Sequence, residues 1–377
     1  MLGKAFANCI LISLISLTGC SMHSAQNTAL DNAEDKSKSA PQEDNSGVIH
    51  INAFDLPLSG LMTDESKKAI DNQKKVMKQW AETATTCPLV TEVELAEVAK
   101  ARECNRANFY ASQFYKDLVA RYAVDIKSQM IDGVYTEVFT PKAGISAGNK
   151  ERILINLHGG GFIGGSRSGG QMESIPISAL GKIKVISVDY RMAPEYRFPA
   201  ASEDVVAVYR SLLKKVKPEN IGIYGYSAGG VLTSQAIASF QAEGLPLPAA
   251  IGMIAGAASD WDGDLMHFGG AIIDYDLFAE PPVDYFEGAD MSSPLARPSN
   301  SDAVLSKFPP SLLISATRDF ALSNVIHTHR QLTRLGVEAD LQLWEGMDHG
   351  LIAAHYTPEG REAYDVIVKF FDQHLGR

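Results

Sequence analysis

The chain has 377 residues, of which 45% are hydrophobic and 21% are charged, so it is long enough to bury a large core in one big domain with insertions. Its net charge is −11, and it contains no block of lysine and arginine and no interleaving of basic with aromatic residues. These features exclude nucleic acid as an expected partner.

The first 19 residues have the pattern of an export signal. Lys4 supplies one positive charge, and the apolar run 9–17 is much shorter than the roughly 20 residues that a membrane-spanning helix needs. The run ends in Leu17-Thr18-Gly19-Cys20, which resembles the lipobox of bacterial lipoproteins; an ordinary secretory signal is the alternative. The resemblance implies that a lipidated Cys20 attaches the protein to a membrane of the cell envelope. The residue after the cysteine is Ser21 and not Asp, which resembles the pattern of lipoproteins sorted to the outer membrane. The protein would then face the periplasm or the cell exterior.

Residues 20–47 are rich in Ser, Asn, Asp, Glu and Lys and have almost no apolar side chain to bury, which predicts a disordered tether. From residue 48 to about residue 130 the pattern is helical. Thr63 is placed to cap a helix whose first turn carries Asp64 and Glu65. An aromatic stripe with a spacing of four, from Tyr110 to Tyr122, indicates a helix that packs against the domain below.

Cys87 and Cys104 are the cysteines that remain for the globular part when Cys9 and Cys20 are assigned to the signal. Two remaining cysteines in an exported protein favour one disulfide, with two free buried thiols as the alternative. Closing a loop of about 17 residues would stabilise the fold by roughly 3 kcal/mol.

Strands and helices alternate from residue 131 onward, which is typical of a mostly parallel sheet with helices on both faces. Alternating residues predict an outer strand at 134–140, and apolar runs predict strands buried on both faces at 153–157, 185–188, 249–254 and 312–315. A further strand is predicted at 339–344, and helices at 199–214, 231–240, 320–335 and 360–374. The irregular connection 259–310 has the length of a functional lid.

The stretch 220–230 contains a candidate nucleophile. Gly225-Tyr226-Ser227-Ala228-Gly229 matches the G-x-S-x-G pattern between a buried strand and a helix. A serine at such a turn has strained backbone, and the residues two positions on either side must lack a Cβ for the turn to close. The N-terminal N–H groups of the following helix point at the serine oxygen. The alternative is an ordinary glycine-rich turn, since the chain has 31 glycines.

A second glycine cluster, His158-Gly159-Gly160-Gly161-Phe162, follows the strand 153–157. The segment 159–164 also satisfies G-x-G-x-x-G, with Asp189 about 25 residues later, which is the pattern of a dinucleotide-binding fold. That interpretation leaves the serine turn unexplained. We therefore favour an oxyanion hole, in which glycines let backbone N–H groups approach a developing negative charge, and in which His158 orders the loop.

The order serine, acid, histidine predicts the partners of Ser227. Asp319 follows the strand 312–315, and His349 follows the strand 339–344. His267 and His355 are weaker alternatives. Asp348 is adjacent to His349 and is badly placed to bond its ring. No histidine pair has the spacing of a metal site, because His327 and His329, two apart on a helix, face different sides.

Six motifs and one acid occur in the order of a known family: HGGGF at 158–162, YRMAPE at 190–195, FPAA at 198–201, GYSAGG at 225–230, SPL at 293–295, Asp319 and GMDHG at 346–350. Over roughly residues 50–375 the chain resembles the bacterial hormone-sensitive-lipase-like family of α/β-hydrolase esterases. The resemblance implies an eight-stranded α/β-hydrolase core at 131–377, a helical cap at 48–130 and a lid insertion at about 259–300. It also implies a serine carboxylesterase that needs no cofactor and no metal.

By the same resemblance, Ser227 is the nucleophile, His349 the base and Asp319 the acid that orients it. Gly159, Gly160 and Ala228 would donate backbone N–H groups to the oxyanion. Two positions depart from the family pattern: Tyr226 replaces the usual Asp, and Phe320-Ala321-Leu322 replaces the usual Pro-Leu after the acid. An amidase or peptidase with the same triad, and a non-catalytic binding lipoprotein of the envelope, are the alternative functions.

The expected substrate is a small ester with a short acyl chain. Large side chains are concentrated in the lid, at Trp261, Met266, Phe268, Tyr275, Phe278, Tyr285 and Phe286. Packed above Ser227, they would fill the volume that a long chain needs, and the preferred length would be about C2 to C6. The alternative is that these side chains only seat the lid on the core.

Overall fold

The computed structural model describes residues 42–43, 48–51, 54–272 and 284–376. The predicted signal at 1–19, Cys20 and most of the predicted tether lie outside the described residues. β1 (Gln42–Glu43), which lies in the predicted tether, pairs antiparallel with β2 (Ile49–His50), which follows it. None of the described helices is both long enough and apolar enough to cross a bilayer.

An eight-stranded sheet forms the centre of the molecule. Its strands are β3 (Val124–Ile131), β4 (Val134–Pro141), β5 (Ile153–Leu157), β6 (Lys184–Val188), β7 (Ile221–Tyr226), β8 (Ala250–Ile254), β9 (Ser311–Arg318) and β10 (Ala339–Asp348). They lie in the order β10-β9-β8-β7-β5-β6-β4-β3. β4 runs antiparallel to β3 and β6, and all other neighbours are parallel. The predicted eight-stranded, mostly parallel sheet is confirmed.

The central strands are mostly apolar because helices cover both faces of the sheet. Every residue of β5, β7 and β8 is buried. Since neighbouring residues of a strand point to opposite faces, each strand contributes to two hydrophobic clusters. Ile155 and Ile223 belong to one cluster, and Leu154 and Tyr224 belong to the other.

The helices connect the strands and cover both faces. They are α1 (Asp64–Thr83), α2 (Val98–Ala111), α3 (Gln113–Arg121), α4 (Ser168–Gly181), α5 (Ala200–Leu213), α6 (Ala228–Ala242), α7 (Asp264–Ile272), α8 (Asp302–Leu305), α9 (Leu322–Arg334) and α10 (Pro358–His374). The Thr63 side chain caps α1 by accepting from the Ser66 N–H.

The helical prediction for residues 48–130 is wrong at its end. β3 begins at Val124 and pairs along its whole length with β4, so the predicted outer strand at 134–140 has one further strand beyond it. Most side chains of β3 are exposed, as is usual for an edge strand. Their weak hydrophobic alternation is the reason that the sequence did not reveal this strand.

The cap helices are fixed to the core by side chains of α2. Cys87 and Cys104 form a disulfide that joins α2 to the loop before it. Arg102, also on α2, donates to the carbonyl of Ala193 at 2.6 Å and to that of Ile163 at 3.1 Å, and it forms an ion pair with Glu195. The cap therefore contacts the segments that follow β5 and β6.

Candidate active site

Ser227 lies at the sharp turn between β7 and α6. Its φ of 57° and ψ of −120° are a strained combination for a residue with a side chain. A Cβ on Gly225 would lie 2.1 Å from the carbonyl oxygen of Gly229, and a Cβ on Gly229 would lie 1.8 Å from that of Leu157. Both positions therefore require glycine. The Ser227 N–H donates to the Ile254 carbonyl at 2.8 Å, which ties the turn to β8.

Three predicted side chains meet at the carboxyl ends of the parallel strands. His349 Nε2 lies 2.9 Å from Ser227 Oγ, and His349 Nδ1 lies 2.7 Å from Asp319 Oδ1. Asp319, His349 and Ser227 are only 1%, 4% and 9% exposed. They follow β9, β10 and β7, whose carboxyl ends point the same way because the strands are parallel. A base within reach of a hydroxyl, and itself oriented by a carboxylate, is the arrangement that activates a serine nucleophile.

The Asp319 carboxylate is held by donors on both of its oxygens. Ser315 Oγ donates to Oδ2 at 2.7 Å, and the Ala321 N–H donates to Oδ1 at 2.9 Å. Asp348 does not bind the His349 ring; its Oδ1 accepts from the Gly350 N–H at 2.8 Å, within the turn that follows β10. Burial raises the pKa of Asp348.

The two alternative histidines have other surroundings. His355 packs edge-on against the Phe114 ring with centroids 4.7 Å apart, and burial lowers the pKa of His355 to about 4. His267 is exposed on α7. No cluster of three or more His, Cys, Asp or Glu side chains in the described ranges is arranged to hold a metal ion.

Both departures from the family pattern contact His349. The Tyr226 hydroxyl donates to the His349 carbonyl at 2.5 Å. The Phe320 ring stacks on the imidazole, with centroids 4.1 Å apart and planes 27° apart. The Trp261 ring lies 5.3 Å from that of Phe320 and 6.1 Å from that of His349. The altered residues thus support the histidine from its backbone and from one face of its ring.

The backbone N–H groups near Ser227 are of two kinds. Those of Gly160, Gly161 and Ala228 have no hydrogen-bond partner in the part of the chain that the structure describes. The Gly159 N–H, in contrast, donates to Glu173 Oε1 at 2.9 Å. The geometry is therefore compatible with Gly160 and Ala228 as oxyanion donors, whereas the predicted donor Gly159 is already used. Gly161 has a free N–H that the sequence analysis did not assign.

His158 and Asp189 order the turn after β5. The His158 ring stacks on Tyr190 with centroids 4.3 Å apart, and its Nδ1 lies 2.7 Å from the Gly159 carbonyl oxygen. Burial lowers the pKa of His158. Asp189 Oδ2 accepts from Arg167 Nε at 3.4 Å. These contacts agree with a loop-ordering role for His158, and the Asp189 carboxylate of the dinucleotide alternative is bound within the protein.

Part of the lid rests on the residue that follows the glycine cluster. Tyr285 stacks on Phe162 with centroids 4.5 Å apart, and Phe286 meets the same ring edge-on at 5.4 Å. The Tyr285 hydroxyl accepts from the Ala201 N–H at 2.8 Å. These two lid residues therefore seat the lid on the core. Of the other large lid side chains, Met266 is buried, Phe268 is exposed, and Tyr275 and Phe278 lie outside the described residues.

Comparisons with known proteins agree with this architecture. The α/β-hydrolase fold family matches residues 154–353, just over half of the chain. An acetyl-hydrolase of Streptomyces hygroscopicus is 30% identical over 230 residues, which are 58% of this chain and 75% of the relative. The crystal structure of an esterase, E25, is similar with a TM-score of 0.72 and 27% identity, over 86% of this chain and 98% of that one. An esterase from the bacterial hormone-sensitive lipase family has a TM-score of 0.65 at 24% identity, over 84% of this chain and 99% of that one, which shows likeness of fold alone.

Proposed function

The chain belongs to the α/β-hydrolase fold family, and within it we propose a serine carboxylesterase that hydrolyses short-chain carboxylic esters through an acyl-enzyme intermediate. The similarity to an acetyl-hydrolase and to an esterase supports the hydrolysis of esters in general. The serine mechanism depends on one observation: His349 lies within hydrogen-bond distance of both Ser227 Oγ, at 2.9 Å, and Asp319 Oδ1, at 2.7 Å.

In this mechanism, His349 Nε2 takes the proton of Ser227 while Oγ attacks the ester carbonyl carbon. Asp319 accepts from Nδ1–H, which selects the correct tautomer and stabilises the imidazolium. The N–H groups of Gly160 and Ala228 donate to the oxyanion of the tetrahedral intermediate. The alcohol leaves with the proton from Nε2. Water, deprotonated by His349, then attacks the acyl-enzyme. The carboxylic acid is released as the bond to Oγ breaks, and Ser227 Oγ takes the proton from His349 Nε2.

Labelling with a fluorophosphonate tests the role of Ser227 directly, because the reagent bonds to an activated serine. We expect one adduct, which peptide mass spectrometry maps to Ser227 and which Ser227→Ala lacks. An unlabelled wild-type protein would support the non-catalytic binding alternative. Rates on an ester and an anilide with the same acyl group separate an esterase from an amidase, and we expect the ester to react much faster.

The preference for short chains is supported by bulk around the catalytic residues. Phe320 and Trp261 lie beside His349. Phe162 directly follows Gly161 and contacts Tyr285. Each added CH₂ gains up to about 0.8 kcal/mol only while it finds apolar surface, so kcat/KM is expected to peak at about C2 to C6. The assay is a p-nitrophenyl ester series from acetate to palmitate, below and above micelle formation. A maximum at C12 or longer, or a rate jump at the lipid interface, would indicate a lipase instead.

For localisation, we propose that Cys20 is lipidated and anchors the protein in the cell envelope. The support is the sequence pattern Leu17-Thr18-Gly19-Cys20. The test is membrane fractionation of Cys20→Ser, which we expect to be unprocessed or soluble. A variant that pellets with membranes to the same extent as the wild type would contradict lipidation.

A further inference from the structure

Glu173 is a buried acid that the hydrolytic mechanism does not use. It lies on α4 and is fully buried. Its Oε1 accepts from the Gly159 N–H at 2.9 Å, and its Oε2 accepts from Asn156 Nδ2 at 2.8 Å. Asn156 Oδ1 in turn accepts from Ser187 Oγ at 2.8 Å. Among the described residues, no lysine, arginine or histidine forms an ion pair with this carboxyl group; its hydrogen-bond donors are Gly159 and Asn156.

We propose that Glu173 is a positioning residue for the turn that carries Gly159 and Gly160, and that its carboxyl group is protonated and neutral in the active enzyme. The proposal rests on the esterase function proposed above. By holding the Gly159 N–H, Glu173 fixes the peptide that leads to Gly160, whose own N–H is free to donate to the oxyanion. A Cβ on Gly159 would lie 2.8 Å from the Tyr226 ring and 3.3 Å from Ser227 Cβ, so the anchored residue packs directly against the nucleophile turn.

Distance makes this anchor relevant to catalysis. An oxyanion donor acts at roughly 2.7–3.1 Å from the oxyanion, so a small displacement of the turn weakens its hydrogen bond in the transition state. The ground-state ester makes less use of that donor. Loss of the anchor should therefore lower kcat more than it changes KM.

The hydrogen-bond network accommodates the neutral acid. Burial raises the pKa of Glu173 to about 8, although the hydrogen bonds from Gly159 and Asn156 oppose that shift. A proton on Oε2 can be donated to Asn156 Oδ1 when the amide is turned over, and Asn156 Nδ2 then donates to Ser187 Oγ. Amide orientations are assigned from such networks, so both arrangements fit the same atoms. The Gly159 hydrogen bond persists in both.

Charge on Glu173 would oppose the reaction, because a buried anion disfavours a second anion that develops close by. The titratable side chains facing it are Tyr190, Tyr224 and Tyr364, and burial raises the pKa of each, so they stay neutral when Glu173 ionises. Several charged groups near the turn after β5 pair with one another or with Glu195, and the polar groups Tyr115 and Glu137 bind Gln171; the charged groups are Arg102, His158, Arg167 and Asp189. None of the ion pairs among the described residues includes Glu173, and its recorded partners are the Gly159 N–H and the Asn156 amide.

The test compares pH profiles of kcat on p-nitrophenyl acetate. Wild-type kcat is expected to fall on the order of tenfold as the pH rises through about 8, while KM changes less. Glu173→Gln cannot ionise but keeps an acceptor for the Gly159 N–H, so it should retain the neutral-pH kcat within a few fold and lose the alkaline fall. Glu173→Leu removes the acceptor and should lower kcat by roughly 10²-fold at every pH.

Glu137→Gln is the matched control, since Glu137 is another buried glutamate and its carboxylate accepts from Gln171. This variant should keep the alkaline fall. If Glu173→Leu does not fold, the profile of Glu173→Gln decides. An alkaline fall that persists in Glu173→Gln, or a wild-type profile without such a fall, overturns the inference while esterase activity stands. A wild-type protein without Ser227-dependent hydrolysis overturns both proposals.

Discussion

The proposed catalytic side chains and the segments that cover them are held in place in different ways. The cover is defined as α1–α3 together with the described residues 259–272 and 284–310. Ser227, Asp319 and His349 follow strands of one sheet, and backbone geometry sets their positions. The cover rests on side-chain contacts, such as Tyr285 on Phe162 and Arg102 on two carbonyls. Replacing Ser227, Asp319 or His349 should therefore stop hydrolysis. Replacing a single residue of the cover should only change the substrate preference.

The largest effect that tests this contrast is expected from Ser227→Ala. The change removes one oxygen whose partner is His349, so activity on p-nitrophenyl acetate should fall by roughly 10⁶-fold, as in other serine hydrolases. The Cβ that packs in the turn remains, so the melting temperature measured by circular dichroism should stay close to that of the wild type. Residual activity within tenfold of the wild type would contradict the assignment.

Asp319→Asn should be the next most damaging change. An amide cannot hold the imidazole in the tautomer that accepts the serine proton, and the loss in kcat is expected to be about 10⁴-fold. Asp348→Asn is the matched control, because Asp348 is half-buried next to His349 but binds the Gly350 N–H. Steady-state kinetics of both variants at the same pH gives the comparison. Equal losses would mean that Asp319 acts only through the fold.

Gly229→Ala tests whether backbone approach fixes the nucleophile turn. The new Cβ would lie 1.8 Å from the Leu157 carbonyl oxygen, so the turn must shift. We expect the free energy of unfolding, measured in urea, to fall by roughly 1–3 kcal/mol, with a loss of activity. Gly148→Ala is the control, because a Cβ there meets nothing within 4 Å. A variant Gly229→Ala as stable and active as the control would refute the steric argument.

The smallest effect is expected in the cover. Trp261→Ala removes a ring that lies 6.1 Å from the His349 ring. Hydrolysis of the acetate ester should change little, while kcat/KM for longer esters should rise relative to acetate, by up to about fourfold for each CH₂ that gains apolar contact. Phe268→Ala, on the exposed side of α7, should leave the chain-length profile unchanged. The same profile in both variants would mean that Trp261 does not limit the acyl chain.

The meeting of Ser227, Asp319 and His349 was predictable because their sequence patterns reflect constraints on the backbone. Two glycines flank Ser227 because a Cβ at either position would overlap a carbonyl. Asp319 follows the buried strand β9, and His349 follows the edge strand β10. A linear motif cannot show in which direction an N–H points, however. Gly159 was therefore predicted as an oxyanion donor, although its N–H binds a carboxylate 14 residues later in the chain.

The elements that were missed lack the usual signals. α4 contains Gly169, Gly170 and Pro176, which lower helix propensity, so its helical pattern is hidden. The close packing of Gly170 shows why glycine is present: a Cβ there would lie 2.2 Å from Ser187 Oγ. Glu173 was missed together with its helix, because a glutamate in sequence resembles a surface residue and only the fold buries it.

The contacts of Arg102 have a consequence for engineering. A chimera that joins this core to the cap of another esterase would remove the donor that serves the carbonyls of Ile163 and Ala193 and the ion partner of Glu195. Buried acceptors without a donor cost roughly 1–3 kcal/mol each. The cap is thus not an interchangeable module. A graft should carry an arginine at the position of Arg102, and the Cys87–Cys104 bond that pins its helix should be transferred with it.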